Sequence, residues 1–340
     1  MTYVLKYALR TKIIIFALIL LHNSILKTAI SEECLSRFYN GTPVLVTGGC
    51  VFIGSHLVEK LVHLGAHVTV LDDLSTGTLT NIATVQDQIT FIRGDITDFS
   101  TCLAATQNQN LIFHLAAFVS VPASTEDPHQ CHTINIIGTE NLLEAARINN
   151  IKRFVFSSTC AVYGESDVPC IESAIATPIS PYGFSKLIGE IYCKEYSQLF
   201  NLETVAMRYF NVYGPRQNPQ AHYAGVITKF THDMEHNLPL TIFGDGTQTR
   251  DYVPVETVVE ANIILGICSK QLIQDQIFNI ATGKSSNLFD IIQMLKEKYP
   301  LYNNDIIFKP ARPGDVKHVT ADCSKYNTLY SSLINGNNHE

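Results

Sequence analysis

Short unbroken apolar runs alternate with stretches of helical periodicity along most of this chain. Residues 43–47 (Pro-Val-Leu-Val-Thr) form a β-branched run ending in Gly48-Gly49, which predicts a buried strand entering a tight turn. From Phe52 to His63 the apolar residues fall at Ile53, Leu57, Val58, Leu61 and Val62, a helical spacing, and Gly65 stops it. Further strands are predicted over 67–71 (closing on Asp72), 89–93 (closing on Gly94-Asp95), 111–115, 153–157 and 203–209, with helices over 128–149 and 181–200. Ordered structure is expected to open at Thr42. Strands alternating with helices imply βαβ units, hence an α/β fold with a doubly wound parallel sheet. The continuous apolar character of the strands agrees with burial on both faces. After Tyr213 the alternation loosens, and Gly, Pro and Asn cluster over 214–219, where the chain is expected to leave the sheet for a smaller C-terminal lobe. The expected division is a hydrophobic extension (1–40), a sheet domain (41–213), a lobe (214–330) with some return to the sheet, and a fraying polar tail (331–340).

Composition narrows the function classes. The 340 residues are 46% apolar and 16% charged, which excludes a disordered chain. A net charge of −7 weighs against nucleic-acid binding. Nine cysteines, an odd number with no C-x-x-C pair, predict neither a metal site nor a disulfide framework, and fit a reducing, cytoplasmic setting. At the N-terminus, Lys6, Arg10 and Lys12 precede an apolar run over 13–21, too short to cross a bilayer. The segment 13–30 could span only by carrying His22, Asn23 and Lys27. A start codon placed too early, membrane contact through 13–30, and an export signal all stay open there, although chemistry on cytosolic small molecules counts against export.

Two motifs carry chemistry. Thr47-Gly48-Gly49-Cys50-Val51-Phe52-Ile53-Gly54 follows a strand and opens a helix. Glycines there let the backbone turn tightly and approach a pyrophosphate seated on the helix N-terminus. Asp72, at the end of the second strand, can accept hydrogen bonds from an adenosine ribose and repel a 2′-phosphate, which favours NAD over NADP. The glycines alone would also fit an ordinary βα turn. The second motif, Tyr182-Gly183-Phe184-Ser185-Lys186, sets a phenol and an ammonium at i and i+4 on one helix face. A lysine beside the phenol is expected to lower its pKa and make Tyr182 a general base. Ser157-Ser158-Thr159 ends the fifth strand, where hydroxyls reach the crevice in which open α/β sheets bind ligands. Thr159 would alternatively serve as a cap.

In this order, together with Gly94-Asp95-Ile96, His114-Leu115-Ala116-Ala117, and Ser157 through Gly164, these residues resemble the extended short-chain dehydrogenase/reductases, with a Rossmann-type fold. Arg208 through Gln217, Phe243-Gly244-Asp245-Gly246, Arg250-Asp251-Tyr252 and Arg312-Pro313-Gly314-Asp315-Val316 narrow the resemblance to nucleotide-sugar enzymes. It is strongest to the NAD-dependent UDP-glucose and UDP-N-acetylglucosamine 4-epimerases and covers 42–325. The resemblance implies NAD as cofactor, a UDP-sugar as substrate and a homodimer. It assigns proton transfer to Tyr182, cofactor holding to Lys186 and alignment of the sugar O4 to Thr159. Cofactor contacts are expected from Gly48, Gly49, Phe52, Ile53, Gly54, Asp72, Asp95, Ile96, Leu115, Ala117, Asn135, Tyr182, Lys186 and Tyr209. Substrate contacts are expected from Thr159, Asn211, Arg250, Arg312, Asp315 and Val319, the last as a gate for N-acetyl groups.

The chain departs from the family in two places. Val51 stands where the family has the middle glycine of its turn, which predicts either a small shift of the turn with NAD still bound or, through bulk and strain, weakened NAD binding. Cys160-Ala161 stand where related 4,6-dehydratases carry an Asp-Glu pair, so dehydration lacks its carboxylates. A UDP-glucuronate decarboxylase or epimerase and a non-catalytic NAD-binding relative are the competing readings.

Overall fold

A computed structural model describes residues 30–219, 225–311 and 316–336. Positions 1–29, with most of the apolar N-terminal segment, lie outside these residues, as do Arg312 and Asp315. The sheet half of the chain runs α1 (Glu32–Tyr39), β1 (Pro43–Thr47), α2 (Phe52–His63), β2 (His67–Asp72), β3 (Thr90–Arg93), α3 (Phe99–Ala105), β4 (Leu111–His114), α4 (Val121–Glu126), α5 (Pro128–His132), α6 (Gly138–Ile148), β5 (Arg153–Thr159), α7 (Pro181–Phe200) and β6 (Glu203–Tyr209). There follow β7 (Asn211–Tyr213), α8 (Val226–Glu235), β8 (Leu240–Phe243), β9 (Thr249–Pro254), α9 (Val255–Ile267), α10 (Lys270–Ile273), β10 (Gln276–Ile280), β11 (Ser285–Asn287), α11 (Leu288–Lys298), β12 (Ile306–Lys309) and α12 (Ser324–Gly336).

Seven strands form one parallel sheet in the order β10-β6-β5-β4-β1-β2-β3. The order reverses beside β1, which opens a crevice at the carboxyl ends of β1 and β4. Every residue of β5 and β6 is buried, because helices cover both faces. The second lobe adds a three-stranded sheet (β11-β9-β7) and a two-stranded one (β12-β8) around Phe230, Leu240, Ile242 and Leu288.

Three features differ from the expectation. Ordered structure opens before Thr42: Ser31 caps α1, and Leu35 and Tyr39 bury its inner face, with the Tyr39 hydroxyl donating to the Ile263 carbonyl at 2.8 Å. At the other end, α12 runs to Gly336, with Leu329 and Tyr330 buried and the Tyr330 hydroxyl bonded to Glu260. The helix foreseen over 128–149 is divided by a π-helical turn, Thr133–Ile137. Among the described residues no helix is long and apolar enough to cross a membrane.

Candidate active site

The carboxyl ends of the strands line up the expected cofactor residues across the sheet. Gly48 follows β1 with φ +69°, and a Cβ there would stand 2.7 Å from the Ala116 nitrogen. A Cβ on Gly54 would stand 2.0 Å from the Gly48 carbonyl oxygen, so the start of α2 can lie under the turn only as glycine. Gly49 instead faces the core, against Val70 and Val58. No side chain caps α2 and no acidic residue sits in its first turn, which leaves its N-terminal N–H groups to an anion. Gly48, Phe52, Ile53, Gly54, Leu115, Ala117, Thr159, Tyr182, Lys186 and Tyr209 line one cleft of about 280 Å³. This bare helix start, packed on a turn at two positions that only glycine allows, fits a dinucleotide.

Asp72 ends β2 almost fully buried. Its Oδ2 accepts from the Cys50 N–H and its Oδ1 from the Leu74 N–H, both at 2.9 Å. Burial pushes its carboxyl up from the ordinary value, and the two amide bonds pull it back. Those bonds tie β2 to the Gly-rich turn and leave acceptor positions for a ribose. Asp95 and Ile96 follow β3 on the same side, Asp95 exposed and Ile96 buried. Asn135 does not reach the cleft. Its amide clamps Phe118, accepting from the N–H at 2.7 Å and donating to the carbonyl at 3.0 Å, and so holds the segment after β4 in place.

Val51 carries no backbone strain. Its φ of −92° and ψ of −175° are extended, so the feared left-handed conformation is absent and only the bulk of its side chain remains in the cleft.

The helix α7 presents the Tyr-Lys pair because Ser180 caps it, accepting from the Gly183 N–H, and Pro181 starts its first turn. Tyr182 and Thr159 line the same cleft, and the nearby Thr159 hydroxyl favours ionisation of the phenol. Lys186 donates from Nζ to the Ser157 carbonyl at 2.9 Å and lies 5.0 Å from the Phe156 ring centre. The expected lowering of the phenol is not found. Burial raises Tyr182 well above its ordinary value, only partly offset by Thr159, while burial lowers Lys186 to about 8. The lysine is aimed at a backbone carbonyl, and a buried cation is itself penalised. The three hydroxyls foreseen here have different partners: Thr159 Oγ1 accepts from the Ala161 N–H at 3.2 Å, so it does serve as a cap. Ser157 pairs with the Tyr209 hydroxyl at 3.1 Å, and Ser158 donates to Glu190.

Two chambers adjoin the cofactor cleft. One of about 250 Å³ is lined by Cys160, Ala161, Val121, Ile179, His318 and Val319. The other, of about 370 Å³, includes Lys229, Gln248 and Tyr252. Asn211 and Arg250 line both, and Val212 and Gln217 join the second chamber to the cofactor cleft. The sequence reading missed His318 and Gln217, although each stands inside or beside a motif it used. It also missed Asp251, wholly buried, whose oxygens accept from the N–H groups of Thr282 and Gly283 and thereby fix Arg250's strand.

The description of a single protein family, the NAD dependent epimerase/dehydratase family, matches residues 44–281. The chain belongs to that family. Its cofactor is NAD. The chain is 38% identical over 289 residues to a putative UDP-glucose 4-epimerase of Methanocaldococcus jannaschii, which covers 84% of this chain and 92% of that protein. The UDP-glucose 4-epimerase of Thermotoga maritima, solved with UDP-glucose, superposes with a TM-score of 0.80 at 38% identity over 84% of this chain and 92% of that one. The Thermus thermophilus UDP-glucose 4-epimerase, solved with NAD, gives 0.78 at 35% identity, covering 85% and 93%.

Proposed function

We propose that this family member inverts C4 of a UDP-sugar, interconverting UDP-glucose with UDP-galactose and the corresponding N-acetylated pair. The observation that carries the reading is the makeup of the sugar chamber. Thr159 and Tyr182 line the adjoining cofactor cleft, yet no Asp or Glu is found among the chamber's described lining residues. Cys160, where a dehydratase would need an acid, has its thiol pushed up to about 12 by burial and cannot serve as a base near neutrality. The similarity to UDP-sugar 4-epimerases supports the same reading.

NAD, when bound, supplies a reversible two-electron acceptor for the sugar C4–H bond. Tyr182 Oη takes the 4-hydroxyl proton and returns it after the ketone has turned over. Thr159 Oγ1 aligns the sugar oxygen beside that phenol. Lys186 spends one donor on Ser157 and keeps two for the ribose of the cofactor. Arg250 lies between the two chambers, where a guanidinium suits a diphosphate. Small side chains at Ala161, Cys160 and Val319 leave room for the ketone to rotate and for an N-acetyl group.

The reading also includes a homodimer and a cytoplasmic setting. Phe184, Ile188 and Ile191 form an outward stripe on α7, opposite the face that buries Ser185, Gly189 and Cys193. A helix apolar on both faces is suited to cover on both, and a second copy offers a self-complementary partner. Nine thiols without a disulfide agree with a reducing compartment.

The deciding experiment is a coupled assay offering UDP-glucose, UDP-N-acetylglucosamine and UDP-glucuronate side by side. The first two should be epimerised without net consumption of NAD. Turnover of UDP-glucuronate alone, or loss of its carboxylate, would overturn the assignment.

A further inference from the structure

Three side chains of α7 stand one turn apart on the face turned toward the end of β5: Tyr182, Lys186 and Glu190. They face one tripeptide. Tyr182 shares the cleft with Thr159, Lys186 holds the Ser157 carbonyl, and Glu190 Oε1 accepts from the Ser158 hydroxyl at 2.5 Å. The first two contacts belong to the chemistry already proposed. The third has no part in it, because strand alternation turns Ser158 to the face opposite Thr159.

Glu190 is itself held firmly. Arg208, on β6, donates to Oε1 at 2.9 Å and to Oε2 at 2.8 Å, and both side chains are nearly inaccessible, at 4% and 3% exposure. The guanidinium also lies 4.6 Å from the Tyr163 ring centre and donates to the Glu172 carbonyl. A buried ion pair is weak evidence of stability, since apolar residues of similar volume often do as well. Its distinctive property is direction: it fixes a charged acceptor at one point, and among the described residues the other bond to that oxygen comes from the residue before Thr159.

We infer that Glu190, held by Arg208, is a positioning residue that acts through Ser158 to set the last residues of β5 against α7, and so the placement of Thr159 beside Tyr182. The kinetic part of this inference rests on the epimerase reading.

Ser158→Ala tests it in the full-length, NAD-loaded protein, because it removes the hydroxyl and leaves the ion pair in place. Loss of alignment at the reacting atoms should lower kcat about 10-fold while KM for the UDP-sugar stays within about two-fold. Amide hydrogen exchange should quicken at residues 157–161 and 182–186 and stay unchanged in the distant lobe. Parental kcat, a KM that rises as far as kcat falls, or unchanged local exchange would each overturn the inference. Should the parent protein turn over no UDP-sugar, the functional reading falls, and the exchange measurement alone decides the positioning role.

Discussion

Tyr182 keeps its proton in the protein as it stands, because burial penalises the phenolate more than Thr159 stabilises it. The role of base proposed for it is tested by removal. Tyr182→Phe should lower epimerisation by about 10²–10⁴ while UDP affinity and thermal midpoint stay near parental values. Equal activity in the two proteins would sink the assignment. Val51 calls for a smaller effect than its sequence position implies. The turn adopts an extended backbone at Val51, so replacing it relieves no strain. Val51→Gly should tighten NAD binding, read by calorimetry, by less than about 5-fold, roughly 1 kcal/mol. A larger gain would mean that the isopropyl group itself obstructs the pyrophosphate.

A buried relay runs alongside the π-helical turn. His114 Nδ1 pairs with Thr47 Oγ1 at 2.8 Å, and Nε2 with Thr139 Oγ1 at 3.0 Å. The Thr139 hydroxyl donates to the Asn135 carbonyl at 2.6 Å, while the Ala116 N–H donates to Thr47. These partners assign the tautomer: Nε2–H donates to Thr139, and Nδ1 accepts from Thr47. The relay joins the β1 turn to the helix that clamps Phe118. Burial drives His114 well below its ordinary value of 6.5, so it is neutral in the fold. The unfolded chain binds the proton first, so stability is full above about 6.5 and lost as pH falls. Between pH 6.5 and 5 the parent should lose up to about 1.4 kcal/mol per pH unit in urea melts, and His114→Gln should flatten that slope. An unchanged slope would refute the linkage. The same helix marks the limit of the sequence. Periodicity located β1, β2, β4, β5, β6 and α7 because those elements bury continuous faces, and it located the half-exposed β3 by its short apolar run. It could not register the wider π-helical turn, which leaves the apolar pattern on either side intact. Nor could it separate Ser157, Ser158 and Thr159, which have similar hydroxyls and opposite facings. The Tyr182–Lys186 pair stood out by its i, i+4 spacing, although the lowered phenol expected of that spacing is not found, and Thr159 stood out by its place at the end of a strand.

At the scale of the molecule, α7 has the Tyr-Lys pair on one face and the apolar stripe of Phe184, Ile188 and Ile191 on the other. If two copies pair through that stripe, the joint change Phe184→Glu and Ile191→Glu should halve the mass seen by light scattering, with NAD still bound. A parental mass would place any partner elsewhere. The sheet also records how the lobes are joined. Its outermost strand, β10, pairs with β6 only after the chain has passed through most of the second lobe. A nascent chain that has emerged as far as Tyr213 therefore presents β6, a strand buried along its whole length, as a bare edge. That edge is open to pairing with a neighbour on the same message until Ile280 arrives, so the sheet domain depends for its solubility on residues that belong, by position, to the other half of the chain.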